Sequence, residues 1–342
     1  MPGLTVAIGY HVQDGPWGGG NRFAKALGAA LEARGDRVVH DLKDPAIDAI
    51  LLTDPRARSA NVSFAAGKVL RYLARRPEAI VFHRINECDE RKGTRDMNRR
   101  LKRANYAADH TIFIASWLQD LDVWRRETPS SVVLNGGDTA IFNSRGAEQW
   151  DHRGPLRLVT HHWGGNRMKG FDVYEEVDRL IGTPTWKDHL DLTYIGNLPR
   201  GFSFKNARHL PPMDGDMLAD EIRGHHVYLT ASINEPAGMH HIEGALCGLP
   251  LLYRDSGALP EYCTGFGEVF EDVRTFHHAL GRMIQAYDDH RASMHDYDHT
   301  AERMCRDYLA VIDHQMAERD KVVAERRLWR QPGVAIANRV SG

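Results

Sequence analysis

The sequence predicts an α/β protein made of two doubly wound, parallel-sheet domains. Short aliphatic runs alternate with amphipathic stretches along most of the 342 residues. Aliphatic runs without polar alternation are typical of parallel strands that helices cover on both faces. A chain of this length exceeds one ordinary hydrophobic core and agrees with two domains of about 150 residues each.

The first domain is predicted from six aliphatic runs, which lie at residues 4–10, 36–41, 46–53, 78–84, 110–116 and 131–136. The helix after the first run begins behind three glycines and ends at Gly35, a residue type that commonly terminates helices. These elements predict an N-terminal Rossmann-like domain over residues 1–145.

A polar segment with glycine and proline interrupts this pattern and predicts a linker at about 143–155. The alternation then restarts with LRLVTHHW, LDLTYIG, HHVYLTAS and LPLLYRD, which predict a second Rossmann-like domain over 156–311. Beyond Val273 the strands cease and charge-rich helical sequence follows. Two such domains are expected to face each other across a cleft, at the carboxyl ends of their strands.

Composition excludes several classes of function. The net charge of −2 gives no electrostatic argument for binding nucleic acid. The four cysteines form no CxxC pair, and the N-terminus shows neither a signal peptide nor an apolar run of about 20 residues. We therefore expect a cytoplasmic protein with reduced thiols.

The segment EPAGMHHIEGALCGLP, residues 235–250, predicts a turn followed by a helix. The amides of Gly238 and Met239 would be free donors at the helix start, where an anion such as a diphosphate is favoured. Glu235 lies in the turn, and Glu243 lies about 7–8 Å further along the helix axis. Carboxylates repel a phosphate, so both are expected to accept hydrogen bonds from hydroxyls on either side of it.

The E-x7-E spacing from Glu235 to Glu243, followed by ALCGLP, resembles the signature of retaining family 4 glycosyltransferases of GT-B fold. The segments WGGGNRFAKAL, FIASWL, VVLNGGDTAIF, NRMKGFD and LPLLYRDSGALPEYC resemble other parts of that family in the family's order. The resemblance implies that the first domain mainly binds the acceptor and the second binds a nucleotide-diphosphate sugar. It also implies that a C-terminal helix, about 312–342, packs back on the first domain.

The resemblance implies that Glu243 holds the ribose of the nucleotide and that Glu235 contacts the donor sugar. Lys169, in NRMKGFD, is expected to act as a point charge on the transferring diphosphate. The family usually has an arginine six residues before this lysine, where this chain has Trp163. Either Arg167 substitutes for that arginine, or an insertion shifts the alignment, or the phosphate is held by one cation fewer.

Four further positions are predicted to contact the donor. Gly19 and Gly20 allow close backbone approach to a ligand, while Phe23 breaks the G-x-G-x-x-G fingerprint of dinucleotide-binding domains. His83 is predicted to end the fourth strand, a place where the family often has a histidine that faces the donor sugar, and it is a predicted catalytic residue that hydrogen-bonds either a sugar hydroxyl or the reaction centre. Met213, in ARHLPPMDG, is expected near the nucleotide base.

Two regions are predicted to serve the acceptor. Glu87 and Asp89, after the fourth strand, are possible contacts to it. The run RKGTRDMNRRLKR, from Arg91 to Arg103, contains seven basic residues. It either attracts an anionic acceptor or a membrane surface, or forms one solvated helix face.

These observations predict a retaining, metal-independent glycosyltransferase that moves a hexose from a UDP- or GDP-sugar to a hydroxyl acceptor, with no cofactor besides this co-substrate. One alternative is a protein that binds a nucleotide sugar without catalysis. A second is another nucleotide-dependent enzyme, such as an epimerase or dehydrogenase. A third is a metal-dependent hydrolase with His240 and Glu243 as ligands, three residues apart on one helix.

Overall fold

A computed structural model describes residues 3–13, 18–326 and 332–341. The chain divides into two units, Met1–Asn135 with Ala301–Gly342, and Gly136–Thr300. Residues 14–17, which open the predicted glycine loop, and 327–331 and 342, which belong to the predicted C-terminal helix, lie outside the described residues. Among the described residues no helix has the length and apolar character that crossing a bilayer requires.

Each unit contains a six-stranded sheet in which all paired strands are parallel. The first sheet has the order β2-β1-β3-β4-β5-β6 and the second has the order β12-β11-β10-β7-β8-β9. The strands are β1 (Thr5–Ile8), β2 (Arg37–Val39), β3 (Ala49–Leu52), β4 (Ile80–Ile85), β5 (His110–Phe113), β6 (Ser130–Val132), β7 (Leu156–His162), β8 (Leu190–Gly196), β9 (Arg208–Leu210), β10 (Val227–Thr230), β11 (Leu251–Arg254) and β12 (Gly267–Phe270). The predicted parallel α/β class is confirmed.

Helices cover both faces of the sheets. They are α1 (Gly19–Ala33), α2 (Ala66–Leu73), α3 (Met97–Asn105), α4 (Phe171–Ile181), α5 (Gly215–Arg223), α6 (Met239–Leu246), α7 (Leu259–Cys263), α8 (Val273–Gln285), α9 (Tyr287–Ser293), α10 (Ala301–Ala317), α11 (Arg319–Glu325) and α12 (Pro332–Ser341). Short 3-10 helices span Ser116–Asp120, Arg167–Lys169 and Met294–Asp296.

The core of the first unit lies on both faces of its sheet because successive strand residues point in opposite directions. Val6 and Ile8 of β1 pack in one buried cluster with α1 and α10. Ala7, between them, packs in a second cluster that includes residues of α2, α3 and α12. The C-terminal helices α10 and α12 therefore complete the core of the first unit.

The segment 143–155, where the sequence predicts a linker, belongs to the second unit. Arg223 at the end of α5 donates hydrogen bonds to the carbonyl oxygens of Ile141 and Asn143, each at 3.2 Å. The amide of Trp150 donates to the hydroxyl of Tyr287 at 3.1 Å. These tertiary contacts hold a stretch whose composition is typical of a loop.

Strand order locates the most favourable ligand position in the second sheet. The chain leaves β7 toward β8 and β9 on one side, then continues with β10, β11 and β12 on the other. The winding direction therefore reverses between β7 and β10. Open α/β sheets bind ligands beyond the carboxyl ends of their strands at such a switch point.

Candidate functional site

Two charged side chains meet at this switch point. Lys169 ends the 3-10 helix that follows β7, and Glu235 lies in the turn that follows β10. The Lys169 Nζ donates to Glu235 Oε2 at 2.7 Å, and the two side chains are only 8% and 2% exposed. The structure therefore brings together the two residues that the sequence predicts to act on the donor.

Backbone packing fixes the position of Lys169. The next residue, Gly170, has a left-handed φ of +96°, and a Cβ there would lie 2.3 Å from the carbonyl oxygen of Ala231. The amide of Ile233 also donates to the carbonyl oxygen of Met168 at 2.8 Å. Only glycine permits this approach, so the segment before α4 is held against the end of β10.

Backbone contacts also fix the turn that contains Glu235. Asn234 has a positive φ of 51°, and the carbonyl oxygen of Glu235 accepts the Ala258 amide at 2.8 Å. Gly238 is the N-cap of α6, and no side chain of the described residues caps this helix. The Cβ position of Gly238 lies 3.1 Å from the Glu235 carboxyl carbon, so this carboxylate stands beside the helix start where the sequence predicts a diphosphate.

Glu243 is buried on α6 and ends a chain of hydrogen bonds. Its Oε2 lies 2.8 Å from His161 Nε2, and His161 Nδ1 lies 2.9 Å from the Tyr228 hydroxyl. That hydroxyl accepts the backbone N–H of His161 at 3.1 Å, so it is free to donate to Nδ1. His161 therefore donates from Nε2 to Glu243. Burial raises the pKa of the Tyr228 hydroxyl, so this group keeps the proton that it donates. The sequence did not single out His161, although it lies at the carboxyl end of β7.

Three neighbouring histidines are buried and neutral. Burial is the main cause that holds the pKa values of His162 and His240 well below 6.5, with the nearby Lys169 charge a further cause. Burial also lowers the pKa of His241 to about 3. His240 bonds Thr230 at 2.8 Å, whereas Glu243 bonds His161. Within the described parts of the chain, no group of three or more His, Cys, Asp or Glu side chains is placed to hold a metal ion.

Two other predicted donor contacts, Arg167 and Met213, are at least partly exposed. The side chain of Arg167 is 65% exposed, and its Nη1 donates to Glu175 Oε1 at 2.7 Å. Trp163 is also exposed, and Met213 is half-buried between β9 and α5. A cation that the sequence did not suggest, Arg254, ends β11 and pairs with Asp172 at 2.5 Å.

His83 does not end its strand, contrary to the prediction. Arg84 and Ile85 extend β4 because they pair with Ile112 and Phe113 of β5. The His83 ring is fully buried, and its Nδ1 lies 3.1 Å from Asn105 Nδ2. An amide NH2 can only donate, so Nδ1 accepts and the proton lies on Nε2. Among the described residues Nε2 has no hydrogen-bond partner, and burial lowers the pKa of His83 to about 3.

The predicted acceptor contacts already have partners in the first unit. Glu87 accepts hydrogen bonds from Arg91 at 3.1 Å and Lys92 at 3.3 Å. Asp89 accepts from the Met97 and Asn98 amides at the start of α3. Burial opposes ionisation of Asp89, but the Thr94 hydroxyl and these amides outweigh it and lower its pKa. Asp89 therefore caps α3.

The basic run 91–103 is partly neutralised by carboxylates. Arg91 and Lys92 pair with Glu87, Arg100 pairs with Asp96 at 2.7 Å, and Lys102 pairs with Asp122. Arg99 and Arg100 are exposed on α3.

Gly19 and Gly20 are the first two residues of α1 in the same unit. A Cβ on Gly20 would lie 3.1 Å from the Tyr10 ring, so the backbone of this helix start is closely packed against an aromatic side chain.

Comparison with known proteins identifies the fold. No family model and no curated sequence matches the chain. The structure is similar to sucrose-phosphate synthase from Thermosynechococcus elongatus, with a TM-score of 0.62, 14% identity, and coverage of 92% of this chain and 99% of that chain. It is similar to Anabaena HepE in complex with UDP, with a TM-score of 0.65, 11% identity, and coverage of 91% and 100%. The fold is that of the GT-B glycosyltransferases.

A third GT-B structure extends this likeness to a plant protein. The catalytic domain of starch synthase IV from Arabidopsis thaliana, bound to ADP and acarbose, has a TM-score of 0.64, 12% identity, and coverage of 92% and 99%. At these identities the similarity concerns the fold. The predicted GT-B architecture of two parallel-sheet units is thereby confirmed.

Proposed function

We propose that the chain is a retaining glycosyltransferase of the family 4 type, which transfers a hexose from a UDP- or GDP-sugar to a hydroxyl acceptor. The observation that carries this proposal is the buried Lys169–Glu235 pair at the switch point of the second sheet. The GT-B fold supports it, and similar structures hold UDP, UDP-glucose or ADP.

In the proposed reaction the anomeric C–O bond breaks while negative charge develops on the leaving diphosphate. Lys169 would stabilise that charge where it forms, together with the amides at Gly238 and Met239. An ammonium group has three donors, so Lys169 can contact a phosphate oxygen while Glu235 orients it. We propose same-face attack by the acceptor, whose proton passes to the departing phosphate oxygen without a metal ion.

We assign the ribose to Glu243. One of its oxygens accepts from His161, which Tyr228 orients, so the carboxylate is held in one position. Glu235 would accept a hydrogen bond from a hydroxyl of the donor sugar. Gly19, Gly20, Met213 and Arg167 stay predicted donor contacts.

The first unit is proposed to bind the acceptor, with Glu87 and Asp89 as predicted contacts. His83 would act as a hydrogen-bond donor rather than a base, because its proton lies on Nε2. A cytoplasmic location, with peripheral membrane contact through residues 91–103, also stays a prediction. Unchanged binding to anionic vesicles after neutralisation of Arg99, Arg100 and Arg103 would contradict that contact.

The proposal is tested by calorimetric titration with UDP- and GDP-sugars and by release of free nucleotide diphosphate. We expect Glu243→Gln to weaken nucleotide binding about tenfold or more, which corresponds to about 1.4 kcal/mol. Lys169→Met should lower kcat about 10²-fold or more and change Kd less.

His83→Phe should lower kcat without weakening UDP binding. Lys187→Gln, which removes an exposed lysine of the second unit, serves as the charge control.

One observation favours a second candidate function, binding without catalysis. Trp163 occupies the position of the usual arginine, and Arg167 pairs with Glu175. Tight binding of a nucleotide sugar with neither hydrolysis nor transfer would favour this function. Absence of binding to any nucleotide sugar would refute both.

A further inference from the structure

The first unit contains a buried arginine whose charge is balanced by no carboxylate of the described residues. Arg84, in β4, is 3% exposed. Its Nε donates to the Tyr308 hydroxyl at 3.1 Å, and its Nη2 donates to Asn135 Oδ1 at 2.9 Å. Its guanidinium carbon lies 4.0 Å from the centre of the Phe23 ring. All three neighbours are uncharged, and no Asp or Glu of the described residues lies within ion-pairing distance.

Three other cations whose side chains are at most 8% exposed have a carboxylate partner. Lys169 pairs with Glu235 at 2.7 Å, Arg254 with Asp172 at 2.5 Å, and Arg326 with Asp109 at 2.6 Å. This contrast matters because a buried charge without a counter-charge is strongly unfavourable. Neutral hydrogen-bond acceptors and an aromatic face offset only part of that penalty. Arg84 is thus placed to receive an anion from outside the chain.

The surroundings of Arg84 favour an anion as well. Phe23 lies in the second turn of α1, a 15-residue helix with no acidic residue in its first turn and no side-chain cap among the described residues. The start of such a helix carries a partial positive charge. Asn135 follows β6, and Arg84 is the last residue but one of β4. The guanidinium therefore lies toward the carboxyl ends of the strands, beside the start of α1.

We propose that Arg84 forms the centre of an oxyanion site that takes a phosphate group. A guanidinium has five N–H donors in a planar fork, of which Tyr308 and Asn135 use two. The other three donors have no hydrogen-bond partner among the described residues, and the fork geometry matches a phosphate bidentately. Tyr308 and Asn135 are positioning residues, because they fix the plane of the guanidinium.

The identity of the molecule that carries this phosphate rests on the proposed function. The diphosphate of the donor is assigned to Lys169 in the second unit, so the phosphate at Arg84 belongs to the acceptor. The acceptor is then a phosphorylated sugar or another hydroxyl compound that carries a phosphate. The anion site itself does not depend on catalysis and is testable by binding alone.

The experiment measures the unfolding temperature and the heat of binding of the full chain with inorganic phosphate, at ionic strength held constant with chloride. We expect a saturable rise in unfolding temperature for the wild type, since a ligand of the folded state stabilises it. Arg84→Met should lose this rise, and without phosphate it should unfold at the same temperature as the wild type or higher. Lys43→Gln, which removes an 89% exposed cation of the same unit, should keep it.

Two results would overturn the site: no saturable effect in the wild type, or an equal effect in Arg84→Met. If Arg84→Met does not fold, Arg84→Lys keeps the charge but loses the fork, and its Kd for phosphate should rise about tenfold. Tyr308→Phe should weaken phosphate binding by a smaller factor. An unchanged Kd in both variants would also overturn it.

A second titration in saturating UDP tests whether the phosphate at Arg84 belongs to the acceptor or to the diphosphate of the donor. The phosphate effect should persist with UDP bound, and glucose 6-phosphate should reproduce it while glucose does not. Competition between UDP and phosphate would overturn the acceptor assignment. Failure of UDP to bind wild type and Arg84→Met alike would count against the proposed function and leave the anion site standing.

Discussion

At the residue scale, the site depends on buried charges that compensate each other. Lys169 and Glu235 are both nearly inaccessible and bonded at 2.7 Å, whereas the buried Glu243 carboxylate accepts a hydrogen bond from the His161 ring. Removing both partners of a buried pair often costs little, whereas removing one leaves an isolated charge. A loss of activity in a Lys169 variant must therefore be separated from a loss of folding stability.

We expect Lys169→Met alone and Glu235→Leu alone each to lower the free energy of unfolding by about 3–5 kcal/mol. The double variant should recover most of that loss, because neither charge is left unpaired. Urea unfolding of the four proteins gives the coupling energy. Additive losses in the double variant would show that the two side chains do not compensate each other. The double variant also provides a stable protein in which the loss of turnover can be measured.

At the element scale, the junction between the 3-10 helix and α4 positions Lys169, and it depends on Gly170. A Cβ there would lie 2.3–2.4 Å from the carbonyl oxygen, carbonyl carbon and Cβ of Ala231, at a φ of +96°. We expect Gly170→Ala to lower the free energy of unfolding by about 2 kcal/mol or more and to lower kcat. Gly281→Ala is the matched control, since Gly281 lies within α8 with nothing within 4 Å of its Cβ position. It should stabilise the protein by about 0.5–1 kcal/mol; a stable, active Gly170→Ala variant would refute the role of the junction.

The elements were predictable where a local pattern determines them. The strands follow from aliphatic runs, and α6 begins at Met239, as the EPAGM turn predicts. The end of β4 was not predictable, because it depends on pairing with β5. The pairing of Arg167 with Glu175 was not predictable either, because a motif around Arg167 does not show that a residue of the following helix is its partner. Arg84 was missed for a related reason: only its tertiary neighbours reveal that no carboxylate in the described part of the chain pairs with it.

At the scale of the whole molecule, the chain buries neutral histidines in both units. Burial is the largest cause of the lowered pKa in each case: to about 3 for His83 and His241, and to about 4 for His110 and His226. In the unfolded chain each imidazole returns to a pKa near 6.5. Below that pH the unfolded state therefore binds more protons than the folded state.

The sign of the pH dependence follows from this difference in proton binding. Stability rises with pH wherever the unfolded state holds more protons, so it is complete above about pH 7 and falls as the pH drops below 6.5. These four histidines alone give a slope on the order of 5 kcal/mol per pH unit near pH 5.5, and His162 and His240 add to it in the same direction. Urea unfolding at pH 7.5, 6.5 and 5.5 measures it. His241→Phe should reduce the slope by about 1.4 kcal/mol per pH unit, whereas His295→Gln should not, because that side chain is 92% exposed. Equal stability at pH 7.5 and 5.5 would mean that water reaches these rings in the folded protein and that burial does not hold them neutral.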